Sequence, residues 1–101
     1  MRVALIGDTP TVALGGVVDL GSVPMLHDVL TRAVLDHPGA TIVVDLDGVV
    51  ALDDTALGVL LAAAARAREL AGELEVVCSS DRLLERLAVT RFDRAVTVRT
   101  P

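Results

Sequence analysis

Ala40-Thr41-Ile42-Val43-Val44-Asp45-Leu46 is an unbroken run rich in β-branched residues, and Asp53-Asp54 follows it at the head of a Leu- and Ala-rich segment that reaches Ala71-Gly72. An apolar run of this length without alternation is the pattern of a central strand covered on both faces. Two carboxylates ahead of an aliphatic stretch fit a helix N-terminus, where the unpaired N–H groups and the helix dipole favour negative charge. Gly72 supplies the stop. The stretch therefore predicts a buried strand that feeds the longest helix of the chain, over Asp54 to Ala71.

The same pattern extends in both directions. Arg2 to Ile6 predicts a short strand that ends in the turn formers Gly7-Asp8-Thr9-Pro10. Thr11-Val12-Ala13-Leu14 predicts a second strand, which Gly15-Gly16 bends before Val17-Val18-Asp19. Ser22 ahead of Val23-Pro24 opens a helix over Val23 to Asp36, because proline in the first turn lacks only an N–H that would be unpaired anyway. Leu26, Val29, Leu30, Ala33 and Val34 mark its apolar face, and Pro38-Gly39 ends it. Leu74 to Cys78 predicts a strand, Ser79-Ser80-Asp81 a cap, Asp81 to Ala88 a short helix, and Ala95 to Val98 a last strand. Strands alternating with helices predict an α/β fold with a mostly parallel sheet, in one domain over residues 1–101.

Composition narrows what such a domain can do. The 101 residues suffice for one core and no more. With 14 acidic against 9 basic residues, a net charge of -5, the chain has no surplus of positive charge for nucleic acid or an anionic membrane surface. All basic residues are arginine, and Phe92 is the lone aromatic, so base stacking and Schiff-base chemistry lack their usual side chains. The single Cys78 fits a reducing compartment, and no apolar run approaches the length of a membrane span. A cytoplasmic protein that does not insert into membranes is expected.

The candidate chemical groups mostly have structural uses. His27 and His37, with one cysteine elsewhere, match no metal-ligand spacing and read as solvated or capping residues. Gly15-Gly16 lacks the rest of any phosphate-binding pattern. Asp45, Asp47, Asp53 and Asp54 could meet at the carboxyl edge of the sheet, where α/β folds place their sites. No nucleophile or base gathers with them, so no catalytic residue, no metal site and no cofactor is expected. Arg82, Arg86, Arg91 and Arg94 read as a solvated face paired with Asp81, Glu85 and Asp93.

The run from Val44 through Asp45 and Asp53-Asp54-Thr55-Ala56-Leu57-Gly58 to Leu61 resembles the STAS domain of bacterial anti-sigma-factor antagonists. Members of that family carry a strand aspartate, a second aspartate eight residues later, then Ser-Ser/Thr-Gly-Leu-Gly and an aliphatic helix. Asp45, Asp53, Thr55, Leu57 and Gly58 match, and Gly16 and Asp19 align with an earlier family strand end. The resemblance implies a single STAS-like α/β domain over the whole chain, with a mixed sheet of four or five strands and helices packed on one face. It also implies a non-enzymatic regulator that binds an anti-sigma factor of the serine-kinase type in a partner-switching pathway. The surface it implies is Asp53, Asp54, Thr55, Ala56, Leu57 and Gly58.

Two positions depart from the family pattern. Asp54 stands where the family has its phosphorylatable serine, and Ala56 where a glycine is usual. A second register makes Asp54-Thr55 the Asp-hydroxyl pair, with Thr55 as the acceptor. Small STAS proteins with such a pair include accessory subunits of ABC-type lipid transporters, which is the alternative function the resemblance allows.

Overall fold

The computed structural model describes residues 1–6 and 10–101, so the turn expected at Gly7-Asp8-Thr9 lies outside the described residues. Strand β1 (Arg2–Ile6) pairs antiparallel with β2 (Thr11–Val18). Helix α1 (Val23–Asp36) leads to β3 (Thr41–Leu52), α2 (Asp54–Glu69) to β4 (Glu73–Val77), and α3 (Asp81–Val89) with the single turn α4 (Phe92–Ala95) to β5 (Thr97–Arg99). The five strands lie in chain order, and β2 to β5 are all parallel. Successive parallel strands joined by right-handed crossovers that always step the same way place every connecting helix on one face.

That topology explains why β3 is central yet covered on one face only, contrary to the expectation from its apolar run. Ile42, Val44 and Leu46 are fully buried, whereas Val43 and Asp45 point to the other side and are half-exposed. The strand is also twelve residues long, well past Leu46. Two irregularities in the β2–β3 ladder each insert a residue on β3, so that Ala13 pairs with Asp45 but Gly15 with Gly48, and Gly16 with Val49 but Val17 with Ala51. Each insertion resets the alternation of faces, and the buried positions run Leu46, Val49, Leu52. Gly48 is part of the first bulge: a Cβ there would lie 2.9 Å from the Leu14 carbonyl oxygen of β2.

Helix α1 has the boundaries expected for it. Helix α2 ends at Glu69, two residues before the expected end. The Ala71 N–H bonds the Arg68 carbonyl and the Gly72 N–H the Ala67 carbonyl, so Ala71, at φ +64°, takes the left-handed position that Gly72 was expected to fill. Gly72 serves a different need, because a Cβ on it would stand 2.5 Å from the Ala40 carbonyl oxygen. The last strand begins at Thr97 because Phe92–Ala95 closes one more helical turn around the buried Phe92.

Candidate functional site

The carboxyl ends of β2 and β3 meet where the Asp53 N–H donates to the Val18 carbonyl at 3.1 Å. From this anchored residue the chain turns into α2. Asp53 has extended backbone, and its Oδ1 accepts from the Ala56 N–H at 3.1 Å, which makes it the N-cap. One residue on, the Asp54 side chain is 83% exposed and its Oδ1 accepts from Arg86 Nη2 of α3 at 2.7 Å. The pair ties the first turn of α2 to α3.

The six residues singled out in the sequence thus fall into two groups. Asp54, Thr55 and Gly58 are exposed, and a Cβ on Gly58 would meet nothing within 4 Å. Ala56 and Leu57 belong to the core, turned inward by the helical period, and Asp53 is half-buried with its carboxylate engaged. Ala56 and Leu57 hold the turn from beneath, so the side chains that this segment presents at the surface are those of Asp54 and Thr55.

The other aspartates do not join this site. Asp45 lies seven positions before the end of β3, on the order of 20 Å along the strand, and its Oδ1 accepts from the Asp47 N–H at 2.9 Å. Asp47 Oδ1 accepts from the Ser79 N–H and hydroxyl at 2.7 and 2.8 Å. The expected convergence of Asp45 with Asp53 and Asp54 fails because the strand continues. Among the described residues no group of three or more His, Cys, Asp or Glu side chains is placed to hold a metal ion. His37 Nδ1 lies 3.1 Å from the Ala33 carbonyl oxygen at the end of α1, and His27 Nδ1 lies 3.5 Å from Asp28.

Sequence reasoning missed Arg86 as a site residue. Its carboxylate partner is Asp54 rather than Asp81, Glu85 or Asp93. Beside it opens a cleft of about 430 Å³ between the ends of β2 and β3 and α3, lined among others by Val17, Val50, Asp53, Arg82 and Arg86. No local signal announces this cleft, because its walls come from three elements far apart in the chain.

Comparison with known proteins assigns the family. The family model described as Mlab, STAS domain matches residues 1–99. The chain belongs to the STAS domain family. Among solved structures, this STAS domain is similar to an anti-sigma factor antagonist from Mycobacterium paratuberculosis, with 24% identity, a TM-score of 0.82 and coverage of 97% of this chain and 82% of that one. It is similar to the anti-sigma factor antagonist SpoIIAA in its unphosphorylated form at 15% identity and a TM-score of 0.78, covering 98% and 87% of the two chains. The phosphorylated form of SpoIIAA from Bacillus gives 14% identity, a TM-score of 0.70 and coverage of 98% and 90%. No curated protein sequence matches the chain. At these identities the structural likeness establishes the fold.

Proposed function

We propose that this STAS domain is a non-enzymatic, cytoplasmic anti-sigma-factor antagonist that docks on a partner of the serine-kinase type through the first turns of α2. The observation that carries this reading is the exposed trio Asp54, Thr55 and Gly58 on a helix start whose cap and core-facing residues are fixed. The motif resemblance supports it, as does the likeness to two forms of SpoIIAA. Among the described residues no helix is long and apolar enough to cross a membrane.

In this function Asp54 occupies the place of the phosphorylatable serine. A phosphate would add about −1.5 to −2 charges at the docking surface. Asp54 adds one, and the Arg86 guanidinium stands 2.7 Å from it. Position 54 offers a serine kinase no hydroxyl to phosphorylate, and its charge is balanced on the same surface, so in this reading the domain binds its partner without the serine switch.

The purified chain, used as bait for cytoplasmic proteins and followed by mass spectrometry, should capture a histidine-kinase-like ATPase. With that partner and ATP, wild type should gain no phosphate, and Asp54→Ser should gain one at position 54 and, before phosphorylation, bind at least as tightly by calorimetry. Phosphate on Thr55 would select the other register. Capture of a permease and its ATPase would replace the reading with that of a transporter subunit.

A further inference from the structure

The two edges of the sheet are guarded unequally. A free edge presents a row of unpaired N–H and C=O groups that can template a further strand, and folded proteins blunt such edges with shortness, charge or proline. Strand β5 has all three: it is three residues long, carries Arg99 and ends two residues before Pro101. Strand β1 has no such guard from Val3 to Ile6. Its one charged side chain turns away, since the Arg2 guanidinium lies 3.0 Å from where a Cβ on Gly15 of β2 would stand. Among the described residues β1 pairs with β2 alone. Leu5 on this edge is 71% exposed, although its register partner Val12 is fully buried. Opposite residues of an antiparallel pair share a face, so Leu5, like Val3 opposite the buried Leu14, stands on the helix side of the sheet and is bare because the sheet stops beside it.

We propose that a second copy of this chain occupies the β1 edge, antiparallel and centred on Ala4, so that two domains share one continuous sheet. The strand is complementary to itself. A two-fold axis through a shared antiparallel ladder stands perpendicular to the sheet, keeps the helices of both copies on one side and passes between two identical residues. With the axis at Ala4 all five residues of β1 are paired: Arg2 with Ile6, Val3 with Leu5, and Ala4 with its own copy. An axis at Val3 or at Leu5 leaves two of the five without a partner from the strand. The Ala4 register sets Leu5 of each copy opposite Val3 of the other at a Cβ separation of about 5 Å, with the two Leu5 side chains in diagonal reach. Four aliphatic side chains then cover the step that leaves Leu5 bare, and the small Ala4 meets its copy on the open face without obstruction.

Charge does not oppose this contact. Strand β1 holds no carboxylate, and the groove between Leu5 and α1 is lined by Arg32 together with Asp28 and Asp36, each one helical turn from it. Two chains of net charge -5 therefore meet over a row of mixed sign. Five strand residues span about 17 Å, and an edge of that length buries less than the roughly 1,200 Å² of a standard interface, so the association is reversible and depends on concentration. The start of α2 follows β3, two strands in from this edge. Dimerisation leaves it open in both copies and does not depend on the proposed function.

Sedimentation velocity on the full chain, from micromolar to millimolar concentration, should show the mass of one chain giving way to that of two. Leu5→Lys places a charge on the edge at an exposed position and should weaken dimerisation roughly tenfold or more, while unfolding at the wild-type Tm in dilute solution. Val89→Lys, at a valine of α3 that is 75% exposed, should dimerise as wild type does. Ala4→Cys should form an interchain disulfide under mild oxidation, because the axis sets its two copies opposite each other, and the buried Cys78 takes no part. A chain that stays monomeric throughout, or dimerisation undiminished by Leu5→Lys, would overturn the proposal. Equal loss in Leu5→Lys and Val89→Lys would do the same, by showing general apolar association, as would growth beyond two chains, which the blunted β5 should prevent. An Ala4→Cys that crosslinks no faster than Val89→Cys would place the contact elsewhere and refute the β1 ladder even if a dimer forms.

Discussion

Asp53→Ala isolates the cap of α2, the group on which the geometry of the site depends. The substitution removes the one side-chain acceptor for the Ala56 N–H and leaves the backbone bonds of residue 53 to Val18 and Leu57 in place. Loss of an N-cap acceptor costs about 0.5–2 kcal/mol. The upper half of that range applies here, because Ala56 is fully buried and water has poor access to its amide. For a domain of this size about 1–2 kcal/mol corresponds to a fall in Tm of roughly 5–10 °C and to a urea midpoint lower by about 0.5–1 M.

Two companions make the assay specific. Asp53→Asn keeps an acceptor and should lose only about 0.5 kcal/mol, the share of the helix dipole. Asp54→Ala removes an exposed ion pair and should cost under about 1 kcal/mol. Equilibrium urea unfolding followed by circular dichroism measures all three. An Asp53→Ala midpoint equal to wild type would refute the capping role, and an Asp53→Asn as unstable as Asp53→Ala would show that charge, not the acceptor, holds the turn.

Gly72→Ala should destabilise by about 3 kcal/mol or more, because its Cβ would press on the Ala40 carbonyl oxygen at 2.5 Å and only a backbone shift could relieve it; thermal unfolding measures the loss. Ala71→Gly, one residue earlier, should stabilise by about 0.5–1 kcal/mol in the same assay, since alanine bears the left-handed conformation at φ +64° that glycine adopts freely. Gly58→Ala should stabilise α2 by up to about 1 kcal/mol, as the new methyl group meets nothing within 4 Å, and a loss of partner binding by that more stable variant would place Gly58 at the contact. Burial pushes the Cys78 thiol above its ordinary value of 9.0, a hydrogen bond with the Ser80 backbone acts the other way, and the charges of Asp47 and Asp45 add to the rise. The folded chain thus keeps this proton after the unfolded chain has lost it, so stability should fall as pH rises past about 9, and Cys78→Ala should show a shallower alkaline decline in urea midpoints.

What could be read in advance was what is local. The Pro24 start and the Pro38-Gly39 stop are carried by residues within a turn of the boundaries they set, and α1 spans Val23–Asp36 as those signals require. The far half of β3 was illegible for an equally definite reason: two bulges replace the two-residue step between buried positions by a three-residue step at Leu46, Val49 and Leu52. A period-two search loses the strand at Leu46. The site divides in the same way. Asp53 announced itself as a cap from its place before the helix, whereas the Asp54–Arg86 pair joins residues 32 apart and depends on how α3 lies against α2.

Adjacent aspartates at the start of α2 do opposite work because one position of helical phase separates them. Asp53, still in extended backbone, folds its carboxylate back over the first turn and is consumed by the Ala56 amide. Asp54, the first helical residue, points away from the core and would present a bare negative charge to any docking partner were Arg86 not 2.7 Å away. One guanidinium balances one carboxylate, but it would leave a phosphate at the same place with an excess of about −0.5 to −1. Under the proposed function, the side chain at position 54 and the arginine opposite it must therefore be considered together. Aspartate with Arg86 leaves position 54 close to neutral, as unmodified serine would without the arginine, and Asp54→Ser in the presence of Arg86 leaves that guanidinium without its carboxylate until a phosphate arrives.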